Sequence, residues 1–352
     1  MRLKEFQKRL RKEGIDVAIL ISPDANIFYF SQVDMLSFAC LVVPAVKEPV
    51  LITSMLDYER SSKEFRDVKN VLTLKRKKLS EFLADYLKKK KHGVIGINKT
   101  AMSLYVFSRL RKKLKGRFVD ISEVCAELRA EKTYKEINYL RHAAKITDDV
   151  LKQVLDNFNS FKTENEVEAE LNYLAKKKFA DRSFKAIVAS GRNSSMPHHM
   201  TKNRPLQQGF CLIDFGVKYK GYCSDITRTV FIGKPSEKEQ QIYDLVRKIQ
   251  ENSIKKIKEG VRCAELFNAA RDGFGKYKDK FIHGLGHGVG VEIHEAPNLS
   301  DLSKDILKKG MVFTIEPGVY FANKFGIRIE DMVLLGKRTA VLTRTSKGLR
   351  RV

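Results

Sequence analysis

Apolar and polar positions along the 352-residue chain follow two different rhythms. Up to about residue 125, helical spacing and short apolar runs take turns. The opening MRLKEFQKRLRKEG has the spacing of an amphipathic helix ending near Gly14. A buried strand is predicted at 17–22, an apolar run at 38–45 and a strand at 50–53. Helices around 79–87 and 104–114 enclose a further apolar segment at 93–98. Such alternation predicts a small α/β domain over 1–125. Residues 124–133 read as a junction. Beyond it Ile137, Leu140, Ala144, Leu151 and Val154 mark one face of a long helix. Thr163 with Glu166, and Ser236 with Glu239 after Pro235, have the spacing of capping boxes that start two more helices. Strand-like runs follow at 186–190, 210–219, 227–232, 311–321 and 326–335. Helices mixed with neighbouring strand pairs predict an α+β domain over 126–352.

Two of those strand-like stretches carry acids where apolar residues are expected. FCLIDFGVKYKGYCSDITR, 210–228, holds Asp214 and Asp225, with Gly216 and Gly221 available to turn the chain back. MVFTIEPGVYFANKFGIRIEDMVLL, 311–335, repeats the design with Glu316 and Glu330 on either side of 323–326. An unpaired carboxylate in a sheet core costs several kcal/mol. A metal ion is the first candidate to offset that cost. The histidines point the same way. Of seven in the chain, His198, His199, His283, His287 and His294 fall close to the acid-bearing stretches. FIHGLGHGVGVEIHE spaces three of them with Gly284, Gly286, Gly288 and Gly290, which argues against a helical HExxH zinc site. Glycine there permits close backbone approach. Carboxylates with an imidazole suit Mn, Co, Fe or Zn, and four carboxylates are too many for one catalytic zinc. On these residues alone two readings stay open: a dinuclear metallohydrolase, or a single structural cation held by the acids.

Composition narrows the setting. Hydrophobic content of 43% fits a globular protein, and no run of 18 apolar residues is present, so no membrane span is expected. The charged N-terminus lacks an apolar signal core, so secretion is not expected. Five cysteines without a CxxC spacing fit a reduced cytoplasm. Cys211 and Cys223 flank the acids but read as small core residues. The net charge of +25 allows a lysine-rich surface of the kind thermophiles carry, or a nucleic-acid partner. The densest clusters, 75–78 and 88–91, lie in the N-terminal part beside a surface His92. No basic groove interleaved with aromatics accompanies them, so no nucleic-acid partner is expected.

The motifs ASGRNSSMPHH, LIDFG with SDITRT, HGLGHGVGVEIHE, TIEPGVY and GIRIED occur in that order. Together they resemble the pita-bread metallopeptidases, in the branch of prolidase (Xaa-Pro dipeptidase) and aminopeptidase P. The similarity spans essentially the whole chain, including a linking helix in RAEKTYKEINYLRHAAKITDD. It implies an α/β creatinase-like N-terminal domain over 1–125 and an α+β pita-bread catalytic domain over 126–352. The implied activity is a metal-dependent exopeptidase hydrolysing Xaa-Pro dipeptides or short Xaa-Pro peptides.

By position, the resemblance implies two divalent metal ions held by Asp214, Asp225, His287, Glu316 and Glu330, with Asp225 and Glu330 bridging. It places His198 and His294 beside the reacting carbonyl and His283 on the substrate side. It makes Glu316 the proton shuttle to the leaving nitrogen. Tyr320 and Arg328 match positions that support the metal site, with Tyr320 also counted among the substrate-binding residues and Arg328 among the catalytic ones. Phe184 and Ile187 match a proline pocket, with plain core packing the alternative. His199 has no implied role and reads as structural. An Xaa-Pro bond is a tertiary amide without an N–H, so its hydrolysis calls for a specialised site. Asn298 stands where some relatives carry a carboxylate-binding arginine. Dipeptidase is the leading expectation, with Xaa-Pro aminopeptidase on longer peptides the alternative. Relatives that became non-catalytic binding proteins lost ligands, whereas here all five ligand positions are kept. A cytoplasmic homodimer formed through the N-terminal domains is expected.

Overall fold

The computed structural model describes residues 2–34, 37–64, 70–74, 77–88 and 93–352. Lys75, Arg76, the lysines at 89–91 and His92 lie outside the described residues. The chain divides into two compact units, Met1–Arg129 and Ala130–Val352.

The first unit is built on six strands. In spatial order they are Asn70–Thr73, Val50–Thr53, Ala39–Pro44, Val17–Ile21, Val94–Ile97 and Arg117–Asp120. Val17–Ile21 runs antiparallel to Ala39–Pro44 and parallel to Val94–Ile97, which makes the sheet mixed. Val17–Ile21 and Ala39–Pro44 are buried along their whole length. That explains why they read as continuous apolar runs rather than alternating ones. Leu83, Leu87 and Leu110, from the helices Leu79–Lys88 and Leu104–Lys113, pack into the same core. The stretch 124–133, expected as a junction, is largely helical. Ser122–Ala130 forms a helix that buries Val124, Cys125 and Leu128, and the unit boundary falls at its end. The helix is short and its charged positions hide the apolar stripe.

The second unit opens with the helix Tyr134–Asp156, which buries Leu140, Ala144, Leu151 and Val154 as its spacing predicts. A capping box of Thr133 and Glu136 starts it. The predicted box of Ser236 and Glu239 starts the helix Glu237–Lys255. The one predicted at Thr163 is only half formed. Thr163 accepts from the Glu166 amide, but the Glu166 carboxylate turns to the Lys162 amide instead.

The acid-bearing stretches prove more broken than their patterns suggest. Gly209–Phe215 pairs antiparallel with Ile226–Ile232, setting Asp214 opposite Thr227, and also with Ile187–Ser190. Between them Val217–Tyr219 and Tyr222–Cys223 form a separate hairpin, turned at Lys220 and Gly221, both with positive φ. Gly216 is not at the turn. A Cβ there would collide with the Ser224 carbonyl, so glycine is needed for close approach. The second stretch breaks the same way. Val312–Ile315 pairs with Asp331–Leu335, while Gly318–Phe321 pairs with Phe325–Arg328 across a turn holding Asn323 at φ 57°. The two stretches are stitched together. The Glu330 amide donates to the Thr227 carbonyl at 3.1 Å, and the Thr229 hydroxyl donates to the Arg328 carbonyl at 2.8 Å.

Candidate metal centre and its cavity

Asp225 lies between the strands Tyr222–Cys223 and Ile226–Ile232. Glu316 follows Val312–Ile315, and Glu330 precedes Asp331–Leu335. Only Asp214 stands within a regular strand. The acids are therefore not spread along strand faces, as their pattern suggested. Three of them sit where the chain leaves one sheet for another, and all four line one cavity of about 410 Å³.

His287 joins them from Gly286–Gly288, a strand whose glycines carry close contacts. A Cβ at Gly286 would strike the Thr314 carbonyl, and one at Gly288 the Ala296 carbonyl. The His287 amide donates to the Thr314 hydroxyl at 3.1 Å. Its Nδ1 donates to the Gly288 carbonyl at 3.2 Å, which leaves the Nε2 lone pair facing the acids. Nε2 lies 3.6 Å from Asp225 Oδ2 and 3.3 Å from Glu316 Oε1. Burial is the main cause holding the ring's pKa below its ordinary value, which favours the neutral, ligating form. Ligand atoms of Asp225, His287 and Glu330 all fall within 4.8 Å of one another.

The electrostatics mark these acids as incomplete. Burial pushes the Asp225 and Glu330 carboxyls well above their ordinary range. For Asp225 the neighbouring charges of Glu330, Asp214 and Glu316 add to the effect; for Glu330, those of Glu316 and Asp214 do. Asp214 Oδ1, Asp225 Oδ1 and Glu330 Oε1 are buried without a hydrogen-bond partner among the described residues. Protein oxygens of this kind normally find a donor. Three orphaned carboxylate oxygens beside one free imidazole lone pair form a donor set that fits divalent cations.

Arg328 organises the remaining oxygens. Its Nη2 donates to Asp214 Oδ2 at 2.5 Å, and its Nε to the Thr227 hydroxyl at 3.1 Å. Thr227 in turn donates to Glu330 Oε2 at 2.6 Å. Arg328 Nη1 donates to the Tyr320 hydroxyl at 2.8 Å, and that hydroxyl lies 3.0 Å from His283 Nε2. With His283 Nδ1 donating to the Gly284 carbonyl at 2.8 Å, the donors run one way from Arg328 to Gly284.

Tyr320 calls for a correction. It was expected to contact substrate, yet it is 4% exposed and absent from the cavity lining. Its hydroxyl is committed to Arg328 and His283, and burial pushes its pKa up to about 12. The other expected residues, Phe184, Ile187, His198, His283, His294 and Arg328, line the cavity, as does Asn298. The His294 ring stands edge-on to His287 with centroids 4.2 Å apart. Burial, then the charge of His287, lowers its pKa. His199, beside His198 in sequence, points elsewhere: its Nε2 meets Glu164 Oε2 at 2.9 Å. Cys211 and Cys223 are buried, and burial pushes the Cys223 thiol up to about 11, as for core thiols rather than ligands.

Reading the sequence missed Thr227, Thr314, Lys185 and the ion pair of Lys132 Nζ with Glu295 Oε1 at 2.8 Å, which is almost fully buried. Thr227 lies within the SDITRT motif, and its hydroxyl in an apolar run was the available signal. Lys185 had none.

Comparison with known proteins decides the family. Metallopeptidase family M24 matches residues 138–337, and the creatinase/prolidase N-terminal domain matches residues 2–130. The chain belongs to metallopeptidase family M24. It is 35% identical to the Xaa-Pro dipeptidase of Pyrococcus furiosus, over 99% of each chain. The prolidase structure from Pyrococcus horikoshii OT3 superposes with a TM-score of 0.91 at 31% identity, over 99% of each chain. The X-Pro aminopeptidase structure from Thermotoga maritima superposes with a TM-score of 0.88 at 31% identity, over 98% of this chain and all of that one. As an M24 member the chain combines a creatinase-like N-terminal domain with a pita-bread catalytic domain, and it is a metallo-exopeptidase. No helix among the described residues is long and apolar enough to cross a membrane.

Proposed function

We propose that the protein is an Xaa-Pro dipeptidase working with two divalent metal ions. One observation carries the reading: buried, partner-poor oxygens of Asp214, Asp225 and Glu330 converge with His287 and Glu316 on one cavity. The full-length similarity to the Pyrococcus furiosus dipeptidase supports the substrate class. Asp214, Asp225, His287, Glu316 and Glu330 would hold the metals. A bound metal pair supplies Lewis acidity and makes water a nucleophile near neutral pH.

The remaining roles belong to the chain's own groups. Glu316, whose Oε1 accepts from Thr314 at 3.2 Å, takes the proton of the attacking water and delivers it to the proline nitrogen. The neutral His294 ring and His198 donate to the oxygen that gains charge at the reacting carbonyl. His283, fixed by Tyr320 and Gly284, lines the substrate side. Arg328 sets Asp214 directly and Glu330 through Thr227. Phe184 and Ile187 offer an apolar wall for the proline ring.

We place the catalytic domain in the second compact unit and assign homodimer formation to the first. A cytoplasmic setting fits five buried, unbridged cysteines. Manganese heads the candidate metals, followed by cobalt, iron and zinc.

The neutral Asn298 in the cavity wall favours a second reading, an Xaa-Pro aminopeptidase acting on longer peptides. One experiment separates the two. Purified protein loaded with Mn or Co is given an Xaa-Pro dipeptide and a longer Xaa-Pro peptide side by side. Faster dipeptide hydrolysis is expected. Preference for the longer peptide moves the assignment to aminopeptidase, and cleavage of neither rules out both.

A further inference from the structure

Lysine and arginine line the cavity at only two described positions, Arg328 and Lys185. They differ in what they are free to do. The Arg328 guanidinium is 4% exposed and engaged by Asp214, Tyr320 and Thr227. Lys185 is exposed and makes no hydrogen bond or ion pair with the described residues. It sits between Phe184 and Ala186, two residues before Ile187. Phe184, Lys185 and Ile187 all reach the cavity, while Ala186 is buried away from it. Ile187 is the strand partner of Asp214, so this wall is tied to the metal-ligand frame through backbone pairing.

The chemistry of the substrate completes the argument. In an Xaa-Pro dipeptide the α-carboxylate hangs from the proline ring itself, next to the atoms that react. With Asp214, Asp225, Glu316 and Glu330 committed to metal and Arg328 to its own partners, Lys185 is the uncommitted lysine or arginine of the lining, among the described residues, that can meet that carboxylate. Asn298 adds only a neutral amide. An ammonium on a flexible stem beside the apolar wall meets the need, because it can find the anion while the ring packs on Phe184 and Ile187.

We propose that Lys185 is the specificity residue that binds the C-terminal carboxylate of the substrate. Through it the cavity selects free dipeptides over amidated or longer ones. This rests on the Xaa-Pro reading above, and the test keeps the two apart.

Metal-loaded parent protein and the variants Lys185→Gln and Lys185→Arg are compared on Ala-Pro and on its C-terminal amide. The parent is expected to favour the free acid. Lys185→Gln should raise KM for Ala-Pro about tenfold, the scale of one charge-assisted hydrogen bond, and bring the KM ratio of amide to acid toward one. Lys185→Arg should restore most of the preference. Calorimetry with proline and prolinamide gives a second readout that needs no turnover: the parent should bind proline more tightly, and Lys185→Gln should not. An acid-to-amide ratio that is the same in parent and Lys185→Gln, in KM or in binding, overturns the assignment. If the parent cleaves neither substrate the Xaa-Pro reading falls, and the proline and prolinamide measurement alone then decides whether Lys185 is a carboxylate site.

Discussion

The second unit buries carboxylates in two places, and the two are built oppositely. Glu164 is fully buried, and its oxygens are saturated. Oε1 accepts from the Ser190 amide at 2.8 Å, the Ser190 hydroxyl at 2.9 Å and Asn193 Nδ2 at 2.8 Å, while Oε2 meets His199 Nε2. Burial alone would raise its carboxyl, but the donors from Asn193, Ser190 and His199 outweigh that and hold it below its ordinary value. Asp225 and Glu330 are as deeply placed and have too few donors. Burial and their neighbours' charges push both well up. A saturated carboxylate is structural. A starved one, beside three other acids, is prepared for a cation. His198 and His199 divide along the same line, one lining the cavity and the other serving Glu164.

The contrast can be broken at several points. The largest effect is expected from Asp225→Asn. Turnover and bound metal should vanish together, measured by peptide hydrolysis and elemental analysis, while the metal-free fold is at least as stable as the parent because a buried charge is gone. Retained metal would remove Asp225 from the ligand set. Glu164→Ala should do the reverse. It should cost about 3–5 kcal/mol in denaturant unfolding because His199 and its companions lose their acceptor. The folded fraction should still take up metal; metal loss there would mean that the two clusters are not separable.

Chelation comes next. Withdrawing metal held at a thousandfold over its Kd should lower stability by about 4 kcal/mol, and reloading should restore it. The pH dependence then follows from the two signs. Asp225 and Glu330 have pKa values raised by folding. Their contribution to the metal-free protein is complete below the ordinary carboxylate range, about 4, and is lost as pH rises through the raised values. Glu164 has a lowered pKa, so its contribution holds above about 4.3 and is lost as pH falls through the lowered value. Metal-free protein should therefore gain stability as pH drops from neutrality toward about 5. Metal-loaded protein should lose it as protons compete for the ligands. Thermal melts at several pH values check both, and a metal-free protein that weakens over that range would contradict the assignment.

The smallest effects belong to the supporting shell. Arg328→Lys should weaken metal binding about 10- to 100-fold, since one ammonium cannot serve Asp214, Tyr320 and Thr227 together. Tyr320→Phe should sit near the lower end of that range, because only the relay from Arg328 to His283 is cut. Metal titration followed calorimetrically ranks the two.

Several features of this molecule were legible in the order of residues alone. Continuous apolar runs such as Val17–Ile21 revealed a sheet covered on both faces. The long helix face from Leu140 to Val154, and the box of Ser236 and Glu239, could be read from spacing because helices and their caps are local. Acids inside apolar stretches, with glycine-spaced histidines nearby, identified the ligand candidates because a lone buried charge is too costly to leave unexplained.

What spacing could not convey was the arrangement. The strand breaks set Asp225, Glu316 and Glu330 at sheet crossings, but it is pairing between stretches about a hundred residues apart, as in the Glu330 amide to the Thr227 carbonyl, that brings the two sets of acids together. The division of labour between His198 and His199 depends on Glu164 arriving from the helix Glu164–Lys177. The withdrawal of Tyr320 from the cavity, and the freedom of Lys185 within it, depend on which neighbours the fold brings to each side chain. Local patterns follow from the chain's own geometry. Donor counts and orphaned oxygens exist only once distant segments have met.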